Sequence, residues 1–149
     1  MIIALATDHA GFAHKETLKA YLIEQGHEVV DCGAYVHDAG DDYPSFMKVA
    51  AQKVSSGDCA RAIILGGSGQ GEAIVANRIP GVRAVVYYGG PQEILILSRE
   101  HNDANVLSCG ARFLSPEEIC AAADIWLETN FSGDERHTRR LASIDDLAI

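Results

Sequence analysis

The 149-residue chain has only four cysteines, and Cys32, Cys59, Cys109 and Cys120 stand far apart with no CxxC pair among them. That spacing excludes a zinc ribbon or a dense disulfide framework, and it fits reduced thiols in a cytoplasmic protein. No apolar run approaches the roughly 18 residues of a membrane span. Basic residues are few: 12 Lys and Arg against 21 Asp and Glu give a formal charge of -9. A surface of that sign excludes nucleic acid and anionic membrane as general partners, so any phosphate site must be a local basic cluster. Low-complexity stretches, linkers and internal repeats are missing too. The opening "MIIALATDHAG" lacks the basic residues that begin a signal peptide and reads as a first strand.

What is there is a regular alternation. Strand-like runs are "IIALATD" (2–8), "HEVVDCG" (27–33), "ARAIILGG" (60–67), "GVRAVVYYG" (81–89) and "NVLSCGA" (105–111). Between and after them lie helical segments over 12–26, 45–57, 72–79, 91–102, 115–130 and 133–147. Leu18, Tyr21 and Leu22 fall at i, i+3 and i+4, Gly26 is a natural stop, and Ser115 with Glu118 forms a capping pattern around Pro116. The run at 60–67 is apolar throughout, as in a strand covered on both faces. Strands separated by helices predict one α/β domain over 1–149, a parallel sheet with helices on both faces. Ligands bind such sheets at the carboxyl ends of the strands. That rule selects Asp8 and His9, the glycines of 66–71, Tyr87 to Gly90, and Cys109 to Arg112.

The most informative stretch is "ILGGSGQGEAIVANR" (63–77), where a strand breaks into Gly66, Gly67, Gly69 and Gly71 before a helix. A dinucleotide fingerprint needs GxGxxG after the first strand, and that pattern is not met. A nucleotide-binding P-loop needs Lys where Glu72 stands, and a carboxylate there would repel a triphosphate. Backbone N–H groups at a helix start can instead stabilise an oxyanion that develops during reaction, with Ser68 as a further donor. Glu72 beside such a hole is placed to remove a proton from carbon next to a carbonyl. Glu72 equally fits a first-turn acid that complements the helix dipole, and spacing alone leaves these two readings level. The dipole should also lower the basicity that a base toward carbon needs.

Other polar positions are less specific. Asp8 and His9 end the first strand, and Asp8 also suits a cap. "EHNDAN" supplies His101 and Asn102 at a helix–strand boundary, where imidazole is a natural proton shuttle. In "ERHTRR", Arg136 and Arg140 share a helical face with His137 beside them, a set that fits a dianionic phosphate monoester. A basic helix surface balanced by Asp134 and Glu135 explains the same residues. Trp126 and residues 94–97 read as core or interface; His14, His27 and His37 read as surface groups. No His, Asp or Glu set has metal-ligand spacing, and no GxSxG elbow occurs.

Taken together, "TDHAG", "DYP", "GGSGQGEAIVANRIPGVRA", "SREHNDANVLSCGAR" and "ERHTRR" resemble the ribose-5-phosphate isomerase B family over nearly the whole chain. That family also includes isomerases of allose and galactose 6-phosphates. The resemblance implies a Rossmann-like three-layer α/β/α sandwich with a five-stranded parallel sheet and a C-terminal helix. It further implies an aldose–ketose isomerase working through a cis-enediolate without metal or cofactor. The family acts as a homodimer or dimer of dimers with sites at the subunit interface. Carried onto this chain, Asp8 and His9 contact the sugar and its phosphate end, while Ser68 and the N–H groups of Gly67, Gly69 and Gly71 hold the enediolate. His101 with Asn102 assists ring opening, and Arg112, Arg136, His137 and Arg140 bind phosphate. His101, Asn102 and Arg112 are expected from the partner subunit. Many members carry a catalytic cysteine where this chain has Gly66; others carry glutamate at the position of Glu72, and this chain follows the second pattern. Ribose 5-phosphate is the expected substrate. A six-carbon sugar 6-phosphate, or a silent sugar-phosphate binder, are the alternatives.

Overall fold

The computed structural model describes residues 1–147. The last two residues of the domain read over 1–149 lie outside them. Five strands form one parallel sheet: β1 (Ile2–Thr7), β2 (Glu28–Asp31), β3 (Arg61–Gly66), β4 (Ala84–Tyr87) and β5 (Val106–Gly110). Their spatial order is β2-β1-β3-β5-β4. The helices are α1 (Phe12–Glu24), α2 (Tyr43–Ser55), α3 (Gln70–Ala76), α4 (Glu93–Glu100), α5 (Pro116–Glu128) and α6 (Glu135–Asp145).

The period-2 alternation of strand side chains divides the interior into two cores. Ile3, Leu5, Ile63, Leu65 and Leu107 meet Leu18, Leu22, Leu95 and Trp126 of α1, α4 and α5 on one face. Ala4, Ala6, Ile64 and Val106 meet Met47, Ala50, Ala51 and Ala76 of α2 and α3 on the other. Small alanines on that second face let α2 lie close to β1. β1 and β3 are therefore buried on both sides, and their apolar runs need no polar alternation. Among the described residues, no helix is long and apolar enough to cross a membrane.

Element boundaries follow local chemistry. Gly26 takes φ +85 and ends the first helix as expected. Ser115 caps α5 through a reciprocal capping box with Glu118. The helix expected from Glu72 starts two residues earlier, because Gly69 at φ +78 turns the chain into it. All four cysteines are free and buried.

Candidate active site

Three neighbouring strands, β1, β3 and β5, deliver their carboxyl ends to one place. β1 lies between β2 and β3, so the connections after β1 and β3 depart to opposite sides and leave a crevice. A cleft of about 260 Å³ opens there, lined by Asp8 and His9 after β1, Gly67, Ser68, Gly71 and Glu72 after β3, and Arg112 after β5, with Tyr43 at its side. Gly66 pairs with Gly110 in register, so Arg112, two residues on, overhangs the glycine loop. Its backbone N–H donates to Gly67 O at 3.1 Å.

The glycines clear space for the side chains. A Cβ on Gly66 would lie 1.9 Å from Glu72 Oε1, one on Gly67 2.9 Å from the Arg112 guanidinium, and one on Gly71 2.6 Å from the Tyr43 hydroxyl. Ser68 Oγ accepts from Gln70 N at 3.3 Å, which leaves its own proton for another acceptor. Glu72 is only 4% exposed. Burial raises its pKa, and the charge of Asp8 adds to this. Backbone hydrogen bonds from Glu72 itself and Gly69, with the Arg112 charge, pull the other way but do not prevail. The conflict between helix dipole and basicity is thus settled by desolvation.

Asp8 caps the turn after β1 by accepting from Ala10 N at 3.0 Å. His9 Nδ1 lies 2.7 Å from Asp41 Oδ1, and the hydrogen bond is the largest influence raising its pKa. Asp41 and Tyr43 come from "DDYP", Asp41 in the loop ahead of α2 and Tyr43 as its first residue. Only the fold carries that loop to the end of β1; the short "DYP" motif was the sole trace of it in the sequence, and Asp41 had none of its own. Asp8, His9 and Asp41 are also the one trio among the described residues with metal-ligand spacing, their atoms within 4.8 Å of one another. The His9–Asp41 hydrogen bond already joins two of the three.

Three expectations change. Tyr87 to Gly90 do not line the cleft: β4 is the edge strand beyond β5, and its end borders a separate pocket with Leu95, Leu114 and Ile125. Arg112, expected from a partner, sits in the cleft of its own chain. His14 is not simply a surface group, since its Nε2 bonds Leu114 O at 3.0 Å.

The remaining residues gather elsewhere. His101, at the end of α4, stacks on His137 of α6 with ring centroids 4.2 Å apart and planes 17° from parallel. His137 is 4% exposed, and burial, then the neighbouring His101 and Arg136, lowers its pKa. It is therefore a poorer cation than the basic-cluster reading assumed. Arg136, Arg140 and Asn102 are exposed. Next to them Asp103, at φ +43, accepts from Arg99 at 2.8 Å and Arg83 at 3.0 Å, pinning the turn that holds His101 and Asn102. His101 and Asn102 precede β5 and are joined to α6 by the His101–His137 stack, whereas Arg112 follows β5, a five-residue strand that spans roughly 17 Å. None of His101, Asn102, Arg136, His137 and Arg140 lines the cleft that holds Arg112.

The sequence profile of the family described as Ribose/Galactose Isomerase matches residues 3–144. The chain belongs to that family. The Ribose/Galactose Isomerase match takes in both the cleft and the His101–His137 cluster. Ribose-5-phosphate isomerase B of Mycolicibacterium paratuberculosis is 40% identical over 141 residues, covering 95% of this chain and 87% of the relative. The structure of Clostridium thermocellum ribose-5-phosphate isomerase B superposes with a TM-score of 0.93 at 37% identity, over 99% of this chain and 97% of that one. Ribose-5-phosphate isomerase B of Mycoplasma genitalium, solved with bound ribulose-5-phosphate, gives 0.91 at 35% identity over 97% and 94%. The α/β/α sandwich is the fold of these family members.

Proposed function

We propose that the chain is a cytoplasmic ribose-5-phosphate isomerase that interconverts ribose 5-phosphate and ribulose 5-phosphate through a cis-enediolate, without metal or cofactor. The observation that carries this reading is Glu72: a desolvated carboxylate folded onto Gly66, beside backbone donors, in a cleft that also holds His9 and Arg112. The ribulose-5-phosphate bound to the Mycoplasma genitalium relative supports the choice of substrate.

In this mechanism His101 and Asn102 assist ring opening, moving the anomeric hydroxyl proton away as the ring oxygen gains one. Glu72 then takes the C2 proton of the open aldehyde. The negative charge that develops on O1 is held by Ser68 Oγ–H and the N–H groups of Gly67, Gly69 and Gly71. Glu72 returns its proton to C1 while the O2 proton passes to O1, which leaves C2 as the carbonyl of the ketose and Glu72 ionised again. The phosphate supplies remote binding energy that fixes C1 and C2 against Glu72. His9 and Arg112 meet it from one chain, with Arg136 and Arg140 joining them. Because the His101–Arg140 group lies at the far end of β5, it serves the cleft of a second copy, and the working unit is a homodimer with two shared sites.

The test is incubation with ribose 5-phosphate in D2O containing EDTA, following C2–H by NMR. Ketose formation with deuterium exchange, undiminished by chelator, is expected. Binding shifts without exchange would refute the isomerase and leave a sugar-phosphate binder. Comparing kcat/KM for ribose, allose and galactose phosphates ranks the sugars, with ribose 5-phosphate expected first.

A further inference from the structure

The loop between β2 and α2 lends a carboxylate to a residue 32 positions away in sequence. Asp41 Oδ1 faces His9 Nδ1 at 2.7 Å and also accepts the His9 backbone N–H at 3.1 Å, with the Asp41 side chain only 9% exposed. An ionised carboxylate can only accept, so Nδ1 carries the proton. The ring is then fixed in one tautomer, and Nε2, on the opposite edge, is the atom that changes on titration. It holds a lone pair in the neutral ring and a proton in the imidazolium.

The groups around His9 are mixed in sign. Asp8 stands 3.9 Å from Nδ1, and His37, from the same loop as Asp41, meets the ring edge-on at 6.4 Å between centroids. Arg112, Glu72 and Tyr43 line the cleft it enters. Asp41, chiefly through its hydrogen bond, and Asp8 favour the imidazolium, while desolvation and Arg112 oppose it.

We propose that Asp41 is a positioning residue, holding His9 by backbone and ring so that Nε2 is presented to the phosphate of the sugar. This rests on the phosphosugar reading above. It assigns Asp41 no contact with the reacting carbons, so its removal acts on KM before kcat.

Two measurements test it: NMR titration of His9 in the free protein, and kcat and KM for ribose 5-phosphate above about pH 7, where the substrate phosphate is already dianionic. In the wild type, KM rises as pH increases through the His9 midpoint, while kcat stays level. Asp41→Asn is expected to move both the His9 midpoint and the rise in KM to lower pH. It is also expected to raise KM about tenfold at neutral pH, the scale of one charge-assisted hydrogen bond. His9→Asn should remove the rise altogether. An unchanged His9 midpoint in Asp41→Asn, or a loss carried by kcat with the KM profile unmoved, would overturn the proposal. If the wild type does not isomerise the sugar, the functional reading fails separately, and the His9 titration still decides whether Asp41 sets its charge.

Discussion

Glu72 and Gly66 occupy one volume. The carboxylate lies where a side chain at 66 would begin, so a base at 72 in this position requires glycine at 66. Gly66→Ala would push aside the end of a flexible side chain rather than backbone. Its expected effect is a fall in kcat of about tenfold or more, with little change in thermal midpoint. A fully active alanine variant would show that Glu72 works from another rotamer. Glu72→Gln should reduce kcat by about 10²–10⁴-fold while retaining phosphosugar binding. It also has a stability signature. Burial raises the folded-state pKa of Glu72 above its unfolded value, so its ionised form destabilises the fold at neutral pH. The glutamine variant is therefore expected to be the more stable protein at pH 7. That advantage should fade as pH falls through the folded pKa, since protonated Glu and Gln are alike. Denaturant melts at pH 7 and near pH 4.5 decide it, and a less stable variant at pH 7 would contradict the burial argument. Glu72, Ser68, Asp8 and His9 were legible because each sits within a few residues of a strand end. Asp41 was not, because nothing local ties the "DDYP" loop to β1.

At the level of elements, strands were readable wherever hydrophobic periodicity spoke alone, and the errors came from topology. The carboxyl-end rule selected the end of β4 along with the others, yet the sheet order places β4 outside β5 and its loop turns toward α5. Chain order does not contain that information. Buried charges were equally hidden: Lys15, with no exposed surface, donates to Asp31 at 2.7 Å and Ala34 O at 2.8 Å, binding α1 to the end of β2. The capping box of α5 shows the opposite case, a signal wholly local and wholly realised. Ser115 Oγ accepts Glu118 N at 3.1 Å, and Glu118 accepts Ser115 N at 2.7 Å. Ser115→Ala should destabilise the protein by about 1 kcal/mol without altering kcat. A change in kcat would mean that α5 reaches the cleft, which its packing against α1 and α4 does not suggest.

For the whole molecule, a net charge of -9 makes the location of its cations decisive. Arg112 stands with Glu72 at the carboxyl ends of the strands; Arg136 and Arg140 ride on α6 beside the His101 stack, outside that cleft. If both groups serve one sugar phosphate, as the proposed function has it, two half-sites meet across a twofold axis. Complementation tests this directly. Glu72→Gln removes the proposed base, and the double variant Arg136→Ala with Arg140→Ala removes the α6 cations; each alone should be nearly inactive at low substrate. Refolded together in equal amounts, half the dimers are mixed, and each mixed dimer has one site with both halves intact. The expected recovery is about a quarter of wild-type activity. A mixture no more active than the mean of its parents would place the whole site within one chain. Arg112→Ala supplies the internal control: its side chain belongs to the same cleft as Glu72, so mixing it with Glu72→Gln should also restore about a quarter only if Arg112 crosses to the partner. On the geometry here it does not cross, and that pair should fail to complement.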